Sequence, residues 1–165
     1  MRVFVTVGTT KFDALIEALD QRECLRALYE HGYREITMQI GHGMYVPRGI
    51  LEDRPDLKLS YYRHDPHYKK DVVKADLVIS HAGAGSCMDT LAEKKKLIVV
   101  VNTALMNNHQ AELADAMDER RYCIKTTCKD LPDTLKQGRW KDDLEPYPSP
   151  NLNAFPALVD ALMGV

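Results

Sequence analysis

Residues 80–90 read Ser80-His81-Ala82-Gly83-Ala84-Gly85-Ser86-Cys87-Met88-Asp89-Thr90 and follow the apolar run Leu77-Val78-Ile79. Residues 88–93 have helical character, so the order predicts a strand, a glycine turn and a helix in quick succession. Glycines let a ligand approach the backbone where a Cβ would clash, and the N–H groups at a helix start favour an anion. Open α/β sheets bind ligands at the carboxyl ends of their strands. We therefore expect a phosphorylated small molecule here; the alternative is that the glycines only form the corner.

Length and composition indicate one soluble globular domain. The chain has 165 residues, of which 45% are hydrophobic and 28% charged, and its net charge is −2. This charge gives no indication of a general nucleic-acid binder. The sequence contains no apolar stretch near the ~20 residues that cross a bilayer, and its first residues are typical of a strand rather than a signal peptide. We expect no nucleic-acid partner, no membrane span, and membrane association only through a partner.

The cysteines predict neither a disulfide framework nor a metal site. Cys24, Cys87, Cys123 and Cys128 form no Cys-x-x-Cys pair, and the histidines lack zinc-binding spacing. Cys87 begins a predicted helix, where the pKa of a thiol can be lowered. Because no obvious base accompanies it, we expect a buried or incidental thiol, reduced in the cytosol.

Apolar runs separated by helical patterns predict an α/β fold, a Rossmann-like parallel sheet with helices on both faces. Predicted strands cover residues 2–7, 35–40, 57–62, 77–79 and 97–101, with a short edge strand at 122–124. A helix follows Thr10, helical texture continues to Gly32, and short helices are expected over 68–75 and 131–135. Residues 48–56 are expected to form a connector and 140–150 to be extended. We assign residues 1–150 to the Rossmann-like domain and 151–165 to a terminal amphipathic segment.

The first predicted strand ends at Gly8, Thr9 and Thr10. Because this turn and the glycine turn lie at the same edge of the predicted sheet, we expect them to form one crevice. The alternative is that the hydroxyls serve the following helix alone, with Thr10 as its cap.

A polar cluster follows the strand at 97–101 and comprises Asn107, Asn108, His109 and Gln110. Amide and imidazole groups offer donors and acceptors that suit sugar hydroxyls. An amide-rich helix start can also cap itself, but four such residues exceed the needs of one cap. His42, in the loop at 41–43, is interpreted as a loop residue.

Residues 153–163 predict an amphipathic helix with Phe155, Leu158, Val159 and Leu162 on one face. Such a helix docks on its own domain or binds a partner.

Three segments together, residues 3–13, 75–86 and 106–110, resemble a known family. They are similar to the catalytic subunit of the eukaryotic two-subunit UDP-N-acetylglucosamine transferases of dolichol-linked oligosaccharide synthesis, and the similarity runs over essentially the whole chain. The resemblance extends to the carboxyl-terminal, donor-binding half of GT-B enzymes of glycosyltransferase family 28. It implies that the chain binds UDP-GlcNAc and that a membrane-anchored subunit supplies the acceptor-binding half. The implied reaction transfers GlcNAc to GlcNAc-PP-dolichol with inversion, on the cytosolic face of the endoplasmic reticulum.

The resemblance also implies roles for individual residues. Asp89 would bond the ribose hydroxyls, although the bacterial relatives carry a longer glutamate there. The diphosphate would contact Gly83, Ala84, Gly85 and Ser86, and the same crevice would be lined by Gly8, Thr9 and Thr10. The sugar would be read by Gln110 together with Asn107, Asn108 and His109, the uracil would lie at residues 62–65, and the terminal helix would dock the partner.

The catalytic base is the missing element. His81 and His109 are the local candidates and neither is favoured, since His81 is expected to orient the turn and GT-B relatives take the base from the other half. The sequence lacks a lysine-bearing phosphate loop, which argues against an ATPase, and it lacks Asp-x-Asp, so no metal bridge and no cofactor are expected. Two alternatives remain: another UDP-sugar transferase or epimerase, and a non-catalytic nucleotide-binding scaffold.

Overall fold

The structure, a computed structural model, describes residues 1–104 and 108–148. The predicted site residue Asn107, the side chain of Asn108 and the whole segment 151–165 lie outside the described residues. That segment includes the candidate partner-binding residues Phe155, Leu158, Val159 and Leu162.

Six parallel strands form one sheet in the order β3-β2-β1-β4-β5-β6. The strands are β1 (Arg2–Thr6), β2 (Glu35–Gln39), β3 (Lys58–Tyr62), β4 (Leu77–His81), β5 (Lys96–Val101) and β6 (Ile124–Thr127). The predicted parallel sheet is therefore confirmed. The edge position of the last strand is also confirmed, but β6 begins at Ile124, so the predicted range 122–124 was wrong.

Helices cover both faces of the sheet, as the fold prediction required. They are α1 (Asp13–Leu19), α2 (Arg22–Glu30), α3 (Lys69–Lys74), α4 (Ala84–Ala92), α5 (Asn108–Glu119) and α6 (Leu131–Gln137). Val3 and Val5 of β1 pack with α1, α2 and α6 in one core cluster, whereas Phe4 packs with α3, α4 and α5 in the other. Successive strand residues point to opposite faces, which explains why these strands are apolar throughout rather than alternating.

Three local predictions were wrong. Thr10 does not cap the first helix, because its hydroxyl donates to the Val7 carbonyl at 2.7 Å and α1 begins only at Asp13. Helical texture is interrupted between α1 and α2 at residues 20–21. Residues 140–150 are not extended throughout: Trp140 lies in the 3₁₀ helix Arg139–Lys141, fully buried, and its Nε1 donates to the Tyr33 hydroxyl at 3.2 Å.

The cysteines are free thiols, and Cys24, Cys87 and Cys123 are buried. Burial raises the pKa of the Cys87 thiol to about 12, so this residue lacks the thiolate that a nucleophile needs. The interpretation as an inert buried thiol is confirmed.

Within residues 1–104 and 108–148, no helix combines the length and the apolar character that a membrane span requires.

Candidate functional site

The strand order places a topological switch point beside β1. β1 pairs with β2 on one side and with β4 on the other, and Thr6 at the end of β1 lies opposite Ser80 of β4. The chain therefore leaves β1 and β4 toward opposite sides of the sheet, which opens a crevice at their carboxyl ends. In open α/β sheets this is the usual position of a ligand.

The first turn and the glycine turn lie side by side in this crevice. Gly8 has a φ of +63°, and a Cβ built on it would lie 3.0 Å from His81 Cε1 and 4.0 Å from Ser86 Oγ. The backbone of Gly8 donates to Thr6 Oγ1 at 2.9 Å, whereas Thr9 and Thr10 are exposed. The structure thus brings the two predicted segments together, and their contact with a ligand stays a prediction.

His81 lies between these turns. A Cβ on Gly83 would be 2.3 Å from His81 Nε2, while Gly8 approaches the neighbouring Cε1. The imidazole is 8% exposed, and its buried Nδ1 has no hydrogen-bond partner among the described residues. Burial lowers the pKa of His81 and the Thr6 backbone opposes this shift, so the ring is neutral at neutral pH. This position fits the predicted role in orienting the turn.

Helix α4 presents its free N–H groups to the crevice. Gly83 is its N-cap with extended backbone and without a side-chain cap, and the first helical bond runs from the Cys87 N–H to the Gly83 carbonyl at 3.1 Å. The preceding N–H groups therefore have no partner within the helix. A Cβ on Gly85 would have nothing within 4 Å, so the backbone here is open to a ligand. The geometry suits an anion.

Asp89 lies further along α4. Its carboxylate is contacted by the first residue of α3, Lys69, and by the residue before that helix, Tyr68. Its Oδ2 accepts a hydrogen bond from the Tyr68 hydroxyl, and its Oδ1 lies 3.4 Å from Lys69 Nζ. Burial, followed by the hydrogen bond to Asp89, raises the pKa of Tyr68, and the Ser86 hydroxyl opposes this shift. The Asp89 side chain is 26% exposed, so its carboxylate is not fully enclosed by the protein.

The loops after β1, β2 and β3 are tied to one another along this edge. The His42 N–H donates to the Thr10 carbonyl at 3.1 Å, and Arg63 Nη1 donates to the Gly43 carbonyl at 2.6 Å. Asp65 accepts from Lys70 Nζ at 2.7 Å, and this hydrogen bond lowers the pKa of Asp65. The predicted uracil turn, residues 62–65, is therefore fixed next to the crevice.

The polar cluster is described only in part. Helix α5 begins at Asn108, and β5, which precedes it, pairs with β4, so His109 and Gln110 share the carboxyl edge with the crevice. Gln110 is half-buried, and His109 is exposed with its Nδ1 3.9 Å from Glu112 Oε2.

Tyr68 and Lys69 were not singled out as site residues by the sequence analysis. The usable signal was their position: they follow the carboxyl end of a predicted strand, where site residues concentrate.

The described residues contain no group of three His, Cys, Asp or Glu side chains that could hold a metal ion. A cavity of about 240 Å³ lined by Lys94, Lys95, Lys96, Tyr122 and Tyr147, among others, lies at the opposite edge, where β5 begins. We favour the crevice over this cavity as the candidate site because of the chemical groups that line it, not because of the volume that it encloses.

A protein-family model matches most of the chain. Residues 2–154 match the glycosyltransferase family 28 C-terminal domain. The chain belongs to this family. This membership confirms the resemblance that the three sequence segments carried.

Among relatives in this family, the human protein named UDP-N-acetylglucosamine transferase subunit ALG13 is 46% identical over 129 residues. That match covers 78% of this chain and 11% of the human protein, so the chain spans only about a tenth of that relative. A protein of the same name from Cryptococcus neoformans var. neoformans is 38% identical, covering 98% of this chain and 96% of its own length.

Two solved structures agree with the fold. An NMR structure of ALG13 superposes with a TM-score of 0.69 at 26% identity, covering 98% of this chain and 94% of that one. The crystal structure of MurG from Acinetobacter baumannii gives 0.66 at 17% identity, covering 99% of this chain but 50% of MurG. At that identity MurG supports the fold alone.

Proposed function

We propose that this chain is the donor-binding, catalytic subunit of a UDP-N-acetylglucosamine transferase that acts on GlcNAc-PP-dolichol. One observation carries the proposal: the uncapped start of α4, open at Gly85, lies against the Gly8 turn with Asp89 further along the same helix. This arrangement offers N–H groups to a diphosphate and a carboxylate to a ribose. The shared name of the relatives supports UDP-GlcNAc as donor.

The leaving group of the transfer would be UDP, whose negative charge must be stabilised as the glycosidic bond to it breaks. Free N–H groups of α4 and the hydroxyl of Ser86 are fixed before the reaction begins, which is the condition for effective electrostatic stabilisation. Lys69 adds a cation beside Asp89. The residues Asn107, Asn108, His109 and Gln110 are proposed to read the sugar.

The acceptor hydroxyl needs a base, and neither His81 nor His109 is assigned to this role. His81 is buried between two glycines. We propose that the base comes from a membrane-anchored, acceptor-binding subunit, which also recruits this chain from the cytoplasm to the cytosolic face of the endoplasmic reticulum. The relatives' description as a transferase subunit supports a partner. Phe155, Leu158, Val159 and Leu162 are the proposed docking residues.

The test is an NMR titration of the chain with UDP-GlcNAc, using UDP-glucose and ATP as controls. We expect selective shifts at residues 83–89 and 107–110 with UDP-GlcNAc. Equal shifts with UDP-glucose would favour a general UDP-sugar enzyme over the proposed donor. If no ligand binds, either alone or after the acceptor subunit is added, the donor-binding proposal is wrong and the scaffold alternative is favoured.

A further inference from the structure

We propose that Tyr68 is a positioning residue that holds the Asp89 carboxylate ready for a ribose diol and thereby sets the preference for ribonucleotides over deoxyribonucleotides. This inference rests on the proposed function, because it takes the nucleoside diphosphate site as given and assigns the residue that orients its ribose-reading group.

The contact joins two different elements. Tyr68 directly precedes α3, Asp89 lies in the second turn of α4, and the Tyr68 hydroxyl donates to Asp89 Oδ2. An aspartate at this place in a helix has several staggered rotamers. A hydrogen bond from the neighbouring element selects one of them, so the carboxylate does not have to be ordered when the ligand arrives.

The two partners of Asp89 differ in how firmly they are held. Tyr68 is half-buried, and burial together with Asp89 raises its pKa, so the phenol stays protonated and remains a donor. The Lys69 side chain is 69% exposed and lies 3.4 Å from Oδ1. Exposed ion pairs of this kind contribute little. Ribose hydroxyls can therefore replace Lys69 at Oδ1 while Tyr68 keeps its bond to Oδ2.

Lone-pair geometry leaves room for both. An ionised carboxylate has about four acceptor positions on its two oxygens, and Tyr68 occupies one of them. A ribose with both 2′- and 3′-hydroxyls can use two more, whereas a 2′-deoxyribose can use one. Loss of the Tyr68 hydroxyl should thus weaken the ribonucleotide more than the deoxyribonucleotide.

The chain contains a matched control for this bond. The Tyr45 hydroxyl donates to Asp20 Oδ2 at 2.7 Å, also joining a tyrosine to a carboxylate from another part of the chain. Tyr45→Phe removes the same kind of hydrogen bond without touching Asp89 or a residue of the proposed nucleotide site.

The experiment measures the Kd of UDP and of 2′-deoxy-UDP by calorimetry on the full chain, with the acceptor subunit added if affinity is low. The variants are Tyr68→Phe, Asp89→Asn, their combination, and Tyr45→Phe, each checked by its thermal midpoint. We expect Tyr68→Phe to weaken UDP about tenfold, as for loss of a hydrogen bond to a charged group, and 2′-deoxy-UDP much less. In the Asp89→Asn background Tyr68→Phe should have no further effect. Tyr45→Phe should retain the wild-type ratio of the Kd of 2′-deoxy-UDP to the Kd of UDP.

If Tyr68→Phe weakens both ligands equally, or neither, the ratio of their Kd values is unchanged and the positioning role is overturned. Should Tyr68→Phe unfold the chain, Asp89→Glu serves instead, because it moves the carboxylate by one methylene relative to the phenol. This variant should keep the fold and lower the ratio of the Kd of 2′-deoxy-UDP to the Kd of UDP. An unchanged ratio in Asp89→Glu also overturns the positioning role. A wild-type chain that binds neither nucleotide, with or without the subunit, would instead refute the proposed function.

Discussion

Gly83 and Gly85 are two residues apart, and a methyl group added at each would meet different surroundings. At Gly83 it would lie 2.3 Å from the imidazole of His81, whereas at Gly85 it would meet nothing within 4 Å. Gly83 is therefore required by the protein's own packing. Gly85 is exposed and lies in the first turn of α4, so the packing of the protein gives no reason for the absence of a side chain there.

We predict that Gly85→Ala folds with unchanged or slightly higher stability, since alanine in a helix is favoured over glycine by about 0.5–1 kcal/mol. The same variant should bind UDP-GlcNAc at least about tenfold more weakly, because its Cβ takes up space that a diphosphate uses. Urea unfolding and calorimetric titration measure the two effects. Gly83→Ala is the comparison variant and should lose stability as well as binding. Tight donor binding by Gly85→Ala would place the diphosphate elsewhere.

His81 predicts a pH dependence of stability. Burial lowers the pKa of this histidine in the folded chain below its ordinary value of 6.5. Between the lowered pKa and 6.5, the unfolded chain therefore binds a proton that the folded chain does not. The stability is therefore undiminished above pH 6.5 and falls as the pH drops below it, with a slope of at most about 1.4 kcal/mol per pH unit. Urea unfolding between pH 7.5 and 5 should show this slope reduced in His81→Gln. A variant with the wild-type slope would contradict the assignment.

At the scale of elements, two carboxylates organise the segment after β2: one on the first residue of α1 and one on the residue that follows this helix. Asp13 accepts from the Met44 and Tyr45 N–H groups, and Asp20 accepts from the Tyr45 hydroxyl and the Arg48 and Gly49 N–H groups. The segment is thereby held along the helix, and its loop at 41–43 in turn contacts Thr10 at the edge of the crevice. Irregular backbone thus acquires a fixed position without forming a strand.

We predict that Asp20→Ala destabilises the protein by about 2–4 kcal/mol, because it removes three charge-assisted hydrogen bonds whose donors must then find water. Chemical denaturation measures this loss. Asp53→Ala is the control. Asp53 pairs with Arg26 at 2.7 Å on the exposed surface, where ion pairs contribute little. The stability of the Asp53→Ala variant should therefore stay close to that of the wild type. Equal losses in both variants would mean that Asp20 organises nothing.

The strands and the crevice could be predicted from sequence because each depends on local pattern. Apolar runs such as 97–101 define buried parallel strands, and the order of elements puts Gly8 and Gly83 at one edge. The hydrogen bond from Tyr68 to Asp89 could not be predicted, since it spans 21 residues of sequence and depends on how α3 packs beside α4. The burial of Trp140 was missed for the same reason: its partner Tyr33 lies 107 residues away.

At the scale of the whole molecule, the sheet order assembles the site from loops that are distant in the chain. β1 and β4 are neighbours although the 70 residues 7–76 lie between the end of β1 and the start of β4. The loops after β2 and β3 lie along the same edge of the sheet. These loops supply N–H groups, hydroxyls and a carboxylate, the groups that the proposed function assigns to donor binding. His81, which lies between the two turns, is buried, so an acceptor hydroxyl has little access to its ring.

We therefore predict that the purified chain binds UDP-GlcNAc without transferring it, and that transfer to GlcNAc-PP-dolichol begins when the membrane-anchored acceptor subunit is added. A radiolabelled-sugar assay with a lipid acceptor measures the transfer, and a calorimetric titration of the same sample establishes that the donor site is formed. His81→Gln in the complete complex should retain measurable transfer, because the imidazole orients the turns and does not act as the base. Substantial transfer by the chain alone would show that it carries its own base, and complete loss in His81→Gln with donor affinity preserved would identify that base as His81.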